Sequence, residues 1–211
     1  MSPRGRPRGF DREAALTRAM HVFWERGYEG ASLAELTAAM GINSPSLYAA
    51  FGGKEALFRE AVRLYGATHG AMTERAFREQ HSARDAVGAM LRYNAATYAD
   101  PDLPSGCMIV LSATNYTPSN EGVRDFLAAL RKEDIDGLRQ RLRQGVTDGE
   151  LPEHADIEGM TAFYGTVLHG LSIQARDGAS LEELTVVIDA AMACWDRFAQ
   201  VVPVDRTSWT G

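Results

Sequence analysis

The sequence predicts an all-α protein: a small three-helix head at the N-terminus, then a larger helical body, about nine helices altogether. Three observations predict it. Apolar residues recur at helical spacing from Phe10 onward, with no alternating strand pattern in competition. Small polar residues and glycines sit where helices should start and stop. The third observation is charge. Residues 1–54 carry seven Lys/Arg against five Asp/Glu, while the remainder carries 15 against 23. A mildly basic head on an acidic body meets a polyanion at one end only.

The totals exclude several classes. The chain has 211 residues and 45% hydrophobic content, enough for one sizeable core or two small ones. Its two cysteines, Cys107 and Cys194, are too few for a disulfide framework. No apolar run reaches membrane-spanning length, and the basic start MSPRGRPRGF lacks the apolar stretch of a secretory signal. The expectation is a cytoplasmic protein with no membrane partner. No Gly-rich phosphate loop, H-E-x-x-H or G-x-S-x-G appears, and His21, His69, His81, His154 and His169 are dispersed. Neither an enzyme nor a metal or cofactor site is expected.

The first helix is expected over Asp11 to Arg26, with Leu16, Ala19, Met20 and Phe23 on one face and Gly27 as its stop. Ser32 and Glu35 fit a capping box for the second, which ends at Gly41. Asn43 caps a third short helix. Pro45 is tolerated in its first turn, where amides lack intrahelical partners. Leu47 and Phe51, four apart, anchor it. The fourth helix starts near Gly53 and is expected to continue past His69 to about Phe77.

After a break at 80–83, Val87, Met90, Leu91, Asn94 and Tyr98 mark a fifth helix. ADPDLPSGC (99–107) is turn-rich, and a short apolar piece follows. A long amphipathic run covers 119–147, DGELPEH breaks it, and two last helices are expected over 157–176 and 180–200. This divides the chain into a head (1–55), a body (56–202) and a tail (203–211).

Two short helices joined by Gly41-Ile42-Asn43 make a helix-turn-helix. Such a unit presents the start of its second helix to base edges in a major groove. Ser44, Pro45 and Ser46 are small enough to let backbone approach DNA. Tyr48 lies one turn on, within reach of a phosphate, and Lys54 can neutralise another. Arg4, Arg6 and Arg8, spaced by glycine and proline, suit an arm lying in a minor groove. A plain αα-corner and a solvated terminus account for the same residues.

Residues 10–65 resemble the DNA-binding domain of the TetR family of bacterial transcriptional regulators. The likeness rests on FWERGYEGAS, LAELTAAMGI, SPSLYAAF and GKEALF. It implies that Ser32, Ser44, Pro45, Ser46, Tyr48 and Lys54 occupy positions that touch operator DNA. Thr37 departs from the alanine usual there. Ser44 and Ala49 replace larger polar side chains. With no Arg or Gln on the recognition helix for bidentate base contacts, specificity is expected from thymine methyls, the arm and DNA shape.

The resemblance also implies a homodimer joined through the last helix pair. Tyr164, Leu168, Leu171, Leu184, Ile188 and Trp195 are the expected interface, with the intramolecular core as the alternative. The body is expected to hold an effector of unknown identity among Tyr65, His69, Met90, Asn94, Tyr98, Cys107, Met108, Asn115, Tyr116 and Phe163, a mix of large apolar surfaces and polar handles. Cys107 opens a short helix, where free amides and the dipole lower a thiol pKa, as in a cysteine sensor; a small buried hydrophobe is the other reading. Cys194 is expected in the core. The function expected is an effector-released repressor, with an activator of the same fold or a helical adaptor as alternatives.

Overall fold

A computed structural model describes residues 10–112 and 116–200. Among them the secondary structure is helical, with nine helices of eight residues or more and two shorter α-helical pieces. The arm arginines Arg4, Arg6 and Arg8, together with Asn115, lie outside the described residues.

The head begins with α1 (Arg12–Gly30), whose N-cap Asp11 accepts from the Glu13 and Ala14 amides. Ala15, Ala19, Met20 and Phe23 face inward at helical spacing. Gly27 interrupts the helix at φ 71°, so the expected stop is present, with one extra turn beyond it. In α2 (Leu33–Met40), both halves of the Ser32–Glu35 capping box form, and Gly41 closes the helix at φ 68°. Asn43 caps α3 (Ser44–Phe51), accepting from the Ser46 amide at 2.9 Å. Leu47 and Phe51 carry α3 into the core.

The next helix, α4 (Lys54–Thr68), closes the head as well as opening the body. Its Phe58 ring meets Phe23 edge-on at 5.0 Å. Its Glu60 accepts from Arg12 of α1 at 2.7 Å. The helix stops at Thr68 instead of running to Phe77. Glycines at 66 and 70 weaken it, and the Gly70 amide folds back onto the Tyr65 carbonyl at 2.7 Å. A Cβ at Gly70 would sit 3.1 Å from the Tyr65 ring, a tight fit that favours glycine at the wrap. The chain restarts as α5 (Met72–Glu79), which packs along α6 (Ala83–Tyr98).

Past the 99–107 turns come the single-turn α7 (Met108–Leu111), a 3₁₀ turn at Pro118–Asn120 and the long α8 (Glu121–Thr147). The helix α9 (Ile157–Arg176) spans the expected residues. The last expected helix divides at Cys194 into α10 (Leu181–Ala193) and α11 (Trp195–Gln200). Cys194 is therefore half-buried at a helix break and not in the core. The body core gathers around α6, which packs on α5, α8, α9 and α10.

The stretch from Gly106 to Ser112 brackets α1. Trp24 Nε1 donates to the Gly106 carbonyl at 2.8 Å, and the Tyr28 amide donates to Ser112 at 2.9 Å. Arg176, ending α9, donates to the Trp24 and Glu25 carbonyls at 2.7 and 2.8 Å. These carbonyls lie just before the Gly27 break, where intrahelical partners run out. Gly106 itself adopts φ 76°, and a Cβ there would fall 2.6 Å from the Ser172 carbonyl. Gly106→Ala should therefore destabilise the protein by about 2–4 kcal/mol, from left-handed strain plus a backbone clash. Urea unfolding checks this, and a loss within error of zero would contradict it.

Candidate functional site

The face expected to meet DNA is built by caps. The Ser32 side chain is committed to Glu35, which it meets from both its amide and its hydroxyl. Its exposed position nonetheless leaves it at the surface of the head. Ser44, Pro45 and Ala49 are exposed, Ser46 half-buried. Tyr48 is 53% exposed, beside Gly53, where a Cβ would touch its ring at 3.5 Å. Lys54 is only half free: its ammonium stands over the Tyr28 ring at 4.4 Å. Burial lowers its pKa, opposed by Glu29. The small α3 side chains leave an open groove of about 660 Å³ bordered by Phe10, Thr37, Asn43, Ser46 and Ala50. It belongs to this face and not to the body.

In the body, four of the expected pocket residues converge. Tyr65, Asn94, Tyr98 and Cys107 line one small cavity of about 20 Å³, room for about one water molecule. Burial raises the Tyr65 and Tyr98 phenols well above their ordinary value. It also raises the Cys107 thiol, against hydrogen bonds from the Tyr65 hydroxyl and the Val110 and Ile109 amides. The expected lowering at a helix start is thus corrected. The α7 amides do favour the thiolate, but desolvation outweighs them.

The other expected pocket residues lie elsewhere. His69 packs at a tilt against Trp24 at 5.2 Å and lies near His21. Met90 and Met108 are fully buried core. Tyr116 is exposed, and Arg124 donates to its hydroxyl at 2.8 Å. Phe163 packs against Tyr164 and Phe198.

The cavity walls also include Leu168, which was expected at the interface, and Thr73, Asp134 and His169, which the sequence reading did not place in a pocket. Asp134 sits in the string KEDID and reads as solvated helix face. A histidine inside the apolar stripe of α9 was the available signal for His169. Asp134 is exposed to solvent, yet protein surrounds it closely enough that desolvation and Glu133 push its carboxyl up to about 6. It also lines an adjoining open cleft of about 310 Å³ between the end of α4, α5 and α8.

The six expected interface residues are corrected as well. Tyr164, Leu168, Leu171, Leu184, Ile188 and Trp195 are all buried within one protomer. Tyr164, for example, donates to the Ala191 carbonyl, joining α9 to α10. The free apolar face of this pair is instead Ala162, Thr166 and Ile173 on α9 with Val186, Val187 and Ala190 on α10. Helical spacing alone cannot tell the inner stripe from the outer one when both are apolar.

A capped helix-turn-helix head joined to a helical body with an open cleft is the layout of a DNA-binding regulator. Comparison with known proteins bears on this directly. Residues 15–61 match the sequence profile for bacterial regulatory proteins, tetR family, and residues 83–191 that for the tetracyclin repressor-like C-terminal domain. The HTH-type transcriptional repressor ComR of Escherichia coli is 36% identical over 193 residues, covering 91% of this chain and 92% of ComR. The repressor BdcR of the same organism is 32% identical, covering 90% of each chain. A cysteine-substituted form of the TetR family regulator CifR, solved with 26-base-pair operator DNA, is 50% identical with a TM-score of 0.88. That match covers 90% of this chain and all of the CifR chain. The chain belongs to the TetR family and is a DNA-binding transcriptional regulator.

Burial of Cys107 sets a kinetic expectation. Only the thiolate attacks an electrophile, and a raised pKa keeps the thiolate scarce near neutrality. Alkylation of Cys107 should accelerate about tenfold per pH unit between roughly pH 7 and pH 9, without a plateau. Timed labelling followed by peptide mass spectrometry checks it; a plateau below about pH 8 would mean a lowered thiol instead.

Proposed function

We propose that this regulator is a homodimeric repressor that leaves its operator when an effector reaches the Cys107 cavity. One observation carries the reading: the segment that holds Cys107 is bonded directly to α1 of the DNA head, through Gly106 to Trp24 and through Ser112 to Tyr28. A change at the thiol therefore has a short path to the recognition helix. The names of ComR and BdcR as repressors support the sign of regulation.

On this reading Ser32, Ser44, Pro45, Ser46, Tyr48 and Lys54 meet DNA, with Arg4, Arg6 and Arg8 reaching an adjacent groove. Two heads about 34–36 Å apart fit successive turns of a duplex. Effector must bind the other spacing more tightly to empty the operator. The raised thiol also favours a second reading, in which a non-covalent ligand of the cleft shifts the same equilibrium.

Operator binding is measured with and without a mild thiol-reactive electrophile, in a Cys194→Ser background that leaves one thiol. Release that vanishes with Cys107→Ser supports the covalent reading. Release that persists, or does not occur at all, transfers the role to a non-covalent ligand.

The partner surface follows from the free α9/α10 face. Val186→Glu would place an unpaired charge in a closed interface. It should yield folded monomers by sedimentation and weaken operator binding about a hundredfold. A Val186→Glu dimer of unchanged affinity would move the interface to another face.

A further inference from the structure

The cleft beside the Cys107 cavity is acidic. It joins apolar walls of Phe77, Ile109 and Leu130 to three carboxylates, Glu74, Glu133 and Asp134, and no Lys or Arg lines it among the described residues. Cleft and cavity share Gly70, Thr73, Ile109 and Asp134, so Asp134 stands where one opens into the other. The cavity is too small for anything beyond a water, whereas the cleft holds a molecule of several heavy atoms. A reagent reaching the thiol from this side passes Asp134.

The surroundings fix the local charge. On α5, Glu74 pairs with Arg78 at 3.5 Å, outside the cleft. On α8, Arg131 donates to the Ile109 carbonyl at 2.8 Å, and Glu133 raises the Asp134 carboxyl. On α9, burial and Arg131 lower the His169 imidazole, keeping it neutral near pH 7. Tyr65 of α4, Tyr98 of α6 and Cys107 are all raised, and so uncharged there. Among the described residues no hydrogen bond or ion pair holds Asp134. The Arg131 guanidinium acts on Cys107 and His169, while near neutrality Asp134 itself stands ionised at the neck without a paired cation among the described residues.

We propose that Asp134 is a charge filter on the path to Cys107, turning away anionic electrophiles and admitting neutral or cationic ones. The proposal rests on the reading of Cys107 as the effector-responsive group, and it assigns a class of effector to that site. Like charges a few ångströms apart in a half-enclosed site change a rate by about tenfold.

Iodoacetamide and iodoacetate test this, being alike in size and leaving group but differing in charge. In both reactions the thiol loses its proton to water, sulfur bonds to the CH₂ carbon, and the carbon–iodine bond breaks to release iodide. The full-length Cys194→Ser protein is labelled with each reagent, and Cys107 alkylation is followed by peptide mass spectrometry. Rates are expressed as the amide-to-carboxylate ratio against the same ratio for the urea-unfolded chain, which cancels any change in thiolate fraction.

The folded protein should prefer iodoacetamide about tenfold more than the unfolded chain does, and Asp134→Asn should remove that preference. In the parent protein the preference should also fade from about pH 7.5 to about pH 5.5, as Asp134 is protonated. Iodoacetate stays ionised over that range, and the part due to His169 remains in Asp134→Asn. The pH series needs no variant, so a misfolded Asp134→Asn leaves the question answerable. A folded-state preference that is equal in Asp134→Asn, or flat with pH in the parent, overturns the filter while leaving Cys107 reactive. No labelling by either reagent, under conditions that label the unfolded chain fully, overturns both the path and the covalent reading.

Discussion

The indole hydrogen bond from Trp24 to the Gly106 carbonyl is the contact on which the layout depends. It is buried and 2.8 Å long, and breaking it would strand a carbonyl that water cannot reach. The same indole meets the Tyr65 ring edge-on at 4.7 Å, and Tyr65 is a wall of the thiol cavity. One side chain of the DNA head thus touches both the turn that covers the thiol cavity and one of its walls. Arg176 braces the carbonyls of residues 24 and 25 from the far end of α9. Head, cavity and the outermost helix pair meet within a few residues.

That convergence explains why the chain can be broken at Gly27 without loosening the head. A helix that ends in the middle of a structure leaves carbonyls needing donors. Here a guanidinium from the body provides them, and the Tyr28 amide just beyond the break turns to Ser112. The arrangement makes the last turn of α1 as much a part of the body as of the head. On the proposed function, this link is where a small shift at the cavity would pass to the head, since packed interfaces change between discrete arrangements.

The head was legible in the sequence because its signals are local. Ser32 with Glu35, Asn43 with Ser46, and the glycines at 27, 41 and 52 each fix a boundary through bonds spanning a few residues. The body was less so. The end of α4 hangs on Gly70 fitting beneath the Tyr65 ring, a contact that periodicity does not reveal. The choice between Ile188 inside and Val187 outside depends on which face of α10 meets α9, and both faces are apolar. In the cavity, aromatic and amide residues announced themselves by type. Asp134 did not, because a carboxylate on a charged helix has the same appearance whether it faces bulk water or a cleft.

The valines left bare on α10 have a consequence for how such a molecule senses its own abundance. Val186 is 66% and Val187 45% exposed in a single protomer, an apolar surface that water penalises and that the proposed dimer would cover. If binding to DNA needs two copies, occupancy of a dilute pool rises with the square of protomer concentration before it saturates. Small changes in synthesis then become larger changes in occupancy. An apolar stripe on one helix makes the response steeper without any added contact to DNA.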